Sequence, residues 1–384
     1  MVWWQVYVVV LATAAILSLV LTPVCEKVAL LTNFLDRPDD RHSGHARPIP
    51  VLGGVAMFLA WLMTIVGGVA AFLSLPSGGV GAEVAGYVHN LTRISGRLMF
   101  LCLGALLATL LGFIDDYFPL SAKVKFFGQV VVAVIAVWLG GMRVSLFIPW
   151  EPVTTVISVF WVLLIINAIN FLDNMDGLAV GIAVICLALL TVVAVISRQY
   201  FIAALGAACV GSGLGFWFFN YQPASIFMGD SGSHFLGYTL AVLSAGVTYH
   251  MPEISHTRLT CLIPLFILAV PLFDTLAVVA IRLHYHRPVY VGDHNHISHR
   301  FVKMGMSKKH AVMTVHLLTL ALGLGVLPLM WGDIFTVVVV MVQSLVFLSI
   351  ITLLQFAGGY DCGKMGHPEM PGTTKQTGAG GKEP

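Results

Sequence analysis

Eleven apolar runs follow one another along this 384-residue chain with only short polar stretches between them. They cover roughly residues 3–24, 50–75, 97–114, 124–141, 153–170, 177–197, 200–219, 234–250, 259–281, 310–330 and 334–356. About 20 apolar residues suffice to cross the roughly 30 Å hydrocarbon core of a bilayer. Inside that core every backbone N–H and C=O needs an internal partner, so single runs of this length cross as helices. The chain is 58% hydrophobic and 10% charged, whereas a soluble domain carries roughly 25% charged residues. The expected fold is an all-α integral membrane protein, a polytopic bundle of about 11 transmembrane helices over residues 1–356. Residues 357–384 are rich in Gly, Pro, Thr and Lys and read as a disordered tail.

Charge placement sets the orientation. Counting outward from the loop after the first run, fifteen of the twenty Lys and Arg fall on one side, from Lys27 to Lys382. The other side holds Arg93, Arg97, Arg143, Arg198 and Arg258. The positive-inside rule makes the first side cytoplasmic, with the N-terminus outside and the C-terminus inside. No charge precedes Glu26, so the first run lacks the basic start of a signal peptide and reads as a retained span. The six cysteines show no paired spacing and read as small core hydrophobes.

The same orientation gathers most of the acids on the cytoplasmic side. Asp115 and Asp116 end the third run; as adjacent carboxylates they need a cation such as Lys123, Lys125 or a metal ion. Pro119 rules out a DDxxD motif. Asn167, Asn170, Asp173 and Asp176 recur every three residues, a polar stripe on a helix that Gly177 can end. Amides and carboxylates at this depth belong against protein or a wet cavity rather than lipid. Asp230 stands between Gly229 and Ser231-Gly232, where the backbone can approach a ligand closely. A hard cation such as Mg²⁺ takes one or two carboxylates plus substrate phosphate, and the helix start near Ser233 offers free amides to phosphate. His294, His296, His299 and Arg300 suit phosphate and sugar hydroxyls better than zinc, whose common spacings they do not match. Asp274 lies within the ninth run and needs a partner, Arg282 or a neighbouring helix. Arg41 and His45, in the first cytoplasmic loop, are within reach of phosphate.

With these motifs in this order, the chain resembles the polyprenyl-phosphate N-acetylhexosamine-1-phosphate transferases, glycosyltransferase family 4. The resemblance spans about 36–310. It rests on Pro48–Gly54, Asp115-Asp116, Asn167–Gly177, Met228–Ser233 and the loop ending His296-Ile297-Ser298-His299-Arg300. The last loop looks like the DxxHxHHR pattern of the branch that uses UDP-N-acetylglucosamine, with Ser298 in place of one histidine.

The resemblance implies transfer of a sugar 1-phosphate, most simply that of N-acetylglucosamine, from a UDP-N-acetylhexosamine to a polyprenyl phosphate, with release of UMP. It implies Mg²⁺, with Mn²⁺ as an alternative, held by Asp230. Asp115 and Asp116 are the implied catalytic pair. Asn170, Asp173, Asp176, His296, His299, Arg300, Lys125, Arg41 and His45 are the implied substrate-binding set. The implied location is the plasma (inner) membrane, with the site on its cytoplasmic face. No nucleic acid is expected as partner, and a homodimer stays open. Two rivals remain. One is the branch that uses the muramoyl-pentapeptide nucleotide; the other is an ion-coupled transporter, whose acids would lie near the bilayer midplane.

Overall fold

The computed structural model describes residues 3–37, 47–74, 82–144, 147–286, 288 and 296–357. Arg41, His45 and His294 lie outside these, as does the tail from residue 358 onward. Among the described residues nine helices are long and apolar enough to cross a membrane. They include α1 (Trp3–Thr32), α2 (Gly53–Ser74), α3 (Ala82–Tyr117) and α4 (Ala122–Val134), which runs on through a π-helical turn over Ile135–Leu139. Next come α5 (Glu151–Leu172), α6 (Leu178–Ile196) and α7 (Tyr200–Asn220). After these, α8 (Gly229–Gly246) runs through the interior of the bundle. A 3-10 turn at Arg258 leads into α9 (Ile263–Ile267), which with α10 (Ala269–His284) forms a bent pair broken by 68° that makes a tenth span if counted as one. The short α11 (Ile297–Lys303) precedes the last two spans, α12 (Lys308–Leu324) and α13 (Ile334–Ala357).

The eleven expected runs are recovered only if α8 is counted with these. Hydropathy undercounts α8 because its first turns hold Asp230, Ser231, Ser233 and His234. The structure explains how such a helix is tolerated: every residue from Ser231 to Ala245 is buried, with α2, α3, α5 and α6 packed around it. Its polar groups meet protein rather than lipid. The Tyr238 hydroxyl donates to the Leu101 carbonyl (3.1 Å), and the Trp161 indole donates to Ser244 Oγ (2.9 Å). The five cysteines in the described residues are all free.

A two-residue ribbon, β1 (Leu35–Asp36) against β2 (Ile49–Pro50), closes the first loop. It gives the Pro48–Gly54 motif a structural task. The Phe227 amide donates to the Pro50 carbonyl (2.8 Å), and the Gly53 and Gly54 amides donate to the carbonyls of Phe227 and Met228 (3.0 Å each). The approach to α8 is thereby clipped from one side. From the other side α3 comes so close that a Cβ on Gly112 would stand 2.2 Å from the Asp230 carbonyl oxygen. Overpacking of this kind costs roughly 1–3 kcal/mol. Gly112→Val is therefore expected to lower the melting temperature of the detergent-purified protein by several degrees, read by thermal unfolding; an unchanged value would show that α3 and α8 are free to part.

Candidate functional site

Asp115 and Asp116 close the last turn of α3, but their carboxylates do different work. Asp116 Oδ1 accepts the Asp230 amide (2.7 Å) and its Oδ2 accepts the Ser231 amide (3.0 Å). It caps the first turn of α8, where amides have no helical partner. The helix starts at Gly229 rather than near Ser233, and two of its first amides are already taken. Gly229 makes the contact sterically feasible, with φ at +65° and a would-be Cβ only 2.5 Å from Asp116 Oδ2. Asp115 instead accepts the Leu120 amide at Oδ1 (2.7 Å) and faces the Lys125 ammonium with Oδ2 (2.8 Å).

Lys125, on the first turns of α4, also reaches Asp230 Oδ2 at 2.5 Å. One ammonium therefore bridges two carboxylates from two helices. The other Asp230 oxygen accepts the Asn170 amide (2.6 Å), which also lies 2.9 Å from Ser233 Oγ. Behind this group runs a buried relay absent from the sequence-derived set. Asn167 donates to Gln129 Oε1 (2.9 Å), Gln129 donates to His234 Nε2 (3.0 Å), and His234 Nδ1 donates to the Asp230 carbonyl (2.7 Å). Gln129 lay in an apolar run, the same signal that singled out Asn167.

The expected four-residue stripe is split. Helix α5 ends at Leu172, so Asn167 and Asn170 are helical while Asp173 and Asp176 belong to the following turn. Asp176 Oδ2 accepts the Ala224 amide (3.1 Å), and Asn220 accepts from the Gly177 amide (3.0 Å) while donating to the Ile226 carbonyl (2.9 Å). The turn is thus tied to the segment leading to α8. Asp173 is exposed, and its side chain makes no hydrogen bond or ion pair with a described residue. Desolvation by the protein packed around it, then the charges of Asp230, Asp116 and Asp176, push its carboxyl well above the ordinary range; water on its open flank moderates both.

The last motif reaches the same end of the bundle through α11. Ser298 donates to Asn174 Oδ1 (2.8 Å), and the His296 ring centroid lies 6.3 Å from that of Phe171. Arg300 is buried and His299 half-buried. The partner of Asp274 is His296, whose Nδ1 lies 2.6 Å from its Oδ2; Arg282 instead stacks over Phe171, 5.3 Å from the ring centroid. Among the described residues no three carboxylate, imidazole or thiolate side chains stand close enough to form a metal cage by themselves.

Asp115, Asp116, Asp173, Asp176 and Asp230 gather at helix ends rather than at mid-helix, the placement expected of an interfacial site and not of a midplane relay. A cavity of about 920 Å³, lined by Trp3, Arg97, Trp161, Tyr200 and Tyr249 among others, opens at the opposite ends of the same helices and contains none of these groups.

Residues 98–248 match the model of glycosyl transferase family 4. The chain is 31% identical to a probable undecaprenyl-phosphate N-acetylglucosaminyl 1-phosphate transferase of Bacillus subtilis, over 90% of each chain. The chain belongs to glycosyltransferase family 4. It is also 32% identical to a decaprenyl-phosphate N-acetylglucosaminephosphotransferase of Mycobacterium leprae, over 79% of each. A phospho-N-acetylmuramoyl-pentapeptide-transferase of Listeria monocytogenes matches at 33%, over 51% of this chain and 60% of its own.

The geometry separates two aspartates that look alike in sequence. Asp116→Asn leaves one of two amides without an acceptor and is expected to cost about 1–3 kcal/mol of stability. Asp173→Asn relieves repulsion and is expected to leave the melting temperature unchanged or higher. Thermal unfolding in chelator, free of divalent ions, checks both; equal losses would contradict the division.

Proposed function

We propose that this protein transfers N-acetylglucosamine 1-phosphate from its UDP derivative to a polyprenyl phosphate in the membrane and releases UMP. The observation that carries the reading is the Lys125 ammonium held between Asp115 and Asp230 at one end of an apolar bundle, in a chain of this family. A phosphate oxygen of the lipid attacks the sugar-bearing phosphorus of the donor. The bond from that phosphorus to the bridging oxygen breaks, and the oxygen leaves on UMP. Two anions must meet, so the chief requirements are charge neutralisation and alignment. A phosphate monoester has a second pKa of about 6. The acceptor is therefore largely ionised at neutral pH, and Asp115 has cations to place rather than a proton to take.

Asp230 and Asp115, with Asp173 on the neighbouring turn, would suit a Mg²⁺ or Mn²⁺ ion. Such an ion needs only one or two carboxylates when substrate phosphates and water complete its shell. Two of the three already share a cation, and the third has no partner among the described residues. When bound, the ion neutralises charge on the diphosphate. Asp230 would be its main ligand. Asp116 holds Asp230 in place through the backbone. Asn170 orients the Asp230 carboxylate, and Asp176 shapes the turn that presents Asp173. Lys125, His296, His299 and Arg300 supply positive charge and donors to the phosphates, with Arg41 and His45 assigned to the same task from the first loop. Near-full-length similarity to N-acetylglucosamine-using relatives supports the sugar, whereas the muramoyl-pentapeptide relatives match about half the chain. The basic residues on that side support a plasma-membrane enzyme facing the cytoplasm.

UMP release by purified protein with undecaprenyl phosphate, Mg²⁺ and a panel of UDP-sugars tests the reading. Lipid-dependent UMP from UDP-N-acetylglucosamine is expected, abolished by EDTA and restored by Mg²⁺. Asp230→Asn is expected to cut the rate at least about a hundredfold. Release only from the muramoyl-pentapeptide nucleotide would move the protein to the other branch, and no release with any donor would overturn the proposal.

A further inference from the structure

Asp274 sits within α10, its side chain 1% exposed, in a helix that apart from Thr275 is otherwise apolar until Arg282. A carboxylate in such a place is expensive unless both oxygens are satisfied. Here both are, and by one short segment. Oδ2 takes the Nδ1 hydrogen of His296 at 2.6 Å, and Oδ1 takes the Ile297 amide at 2.7 Å. His296 is the residue on which α11 starts, yet its own side chain makes no cap. Asp274 caps that helix from a neighbouring one and in the same stroke fixes the imidazole. Phe171, next to Asn170, has the His296 ring 6.3 Å away and the Arg282 guanidinium 5.3 Å away. Ser298 ties the next turn of α11 to Asn174. The ring is therefore held by a carboxylate on one nitrogen and lies beside the residues that hold Asp230.

We infer that Asp274 is a positioning residue: it keeps the His296 proton on Nδ1 and so makes Nε2 the atom offered to the diphosphate of the UDP-sugar. The inference rests on the function proposed above and adds to it a residue outside the motifs that suggested that function. Which imidazole nitrogen meets a ligand is set by the hydrogen bond that the other one makes. With Nδ1 committed, the ring donates to a phosphate oxygen only through a second proton on Nε2. Asp274 supplies the countercharge that the doubly protonated ring then needs. A purely structural Asp274 would only pin α11 to α10, and the two roles separate experimentally.

The test is a double-mutant cycle read by UMP release, with KM measured for each substrate and thermal unfolding recorded alongside. Asp274→Asn is expected to lower kcat/KM for UDP-N-acetylglucosamine about ten- to a hundredfold, by analogy with the loss of a carboxylate that orients a metal-bound histidine, with KM for the lipid unchanged. His296→Gln places an amide where Nε2 stood, and His296→Asn places one where Nδ1 stood. The glutamine variant is expected to retain more activity than the asparagine variant. In the His296→Gln background, Asp274→Asn is expected to cost less than about twofold more, because coupled residues are not additive. An equal cost in both backgrounds, or a loss of melting temperature with unchanged kinetics, would overturn the positioning role. If Asp274→Asn does not fold, the comparison at position 296 decides, and an asparagine variant as active as the glutamine variant overturns it. Wild-type protein that releases UMP from no donor overturns the proposed function and this inference together; an active wild type with an additive cycle overturns the inference alone.

Discussion

The Asp116 carboxylate, by accepting the backbone amides of Asp230 and Ser231, fixes the place where α8 begins. Three other features rest on that contact. The positive end of a helix is stabilised where it would otherwise lie bare in an apolar bundle. The Asp230 side chain emerges at a set height, so that Lys125 and Asn170 can take one oxygen each. The Asp230 carbonyl is also placed for His234, whose ring passes the constraint to Gln129 and Asn167. Gly112, Gly229 and the Pro50–Gly54 clip permit or reinforce this arrangement.

The division between neighbours is a matter of helix geometry. Successive side chains on a helix point about 100° apart. Asp115 and Asp116 thus look in different directions, one toward the ammonium and one toward α8. The sequence alone shows two carboxylates and a need for positive charge. It does not show that for one of them the positive partner is a helix end.

Much of the architecture was legible because a bilayer imposes length and apolarity on each span. The partial exception was α8, read as 234–250 although it starts at Gly229, because its buried first turns escape the demand for apolar residues. The convergence of Asp115, Asn170, Asp173 and Asp230 was also legible, because acids and amides beside apolar runs are rarely idle. Two things were not. For Asp274 two partners stood open, Arg282 on its own helix or a group on a neighbouring one, and the structure takes the second, His296 at the start of α11, 22 residues later. Only the tertiary path brings those together. Gln129 was overlooked because it stands alone among apolar residues, and both it and His234 because they meet across two helices. The same path turned a stripe into a turn, since Gly177, at φ +72°, and Asn220 close the chain just past Leu172.

Lys125 has a consequence for the rhythm of turnover. A cleft lined only with carboxylates would cling to its divalent ion, since emptying it would leave bare repulsion behind. Here the protein brings a tethered counter-ion of its own, held against Asp115 and Asp230 at once. On the function proposed, a cleft that carries its own cation would not be left with bare repulsion between one donor and the next.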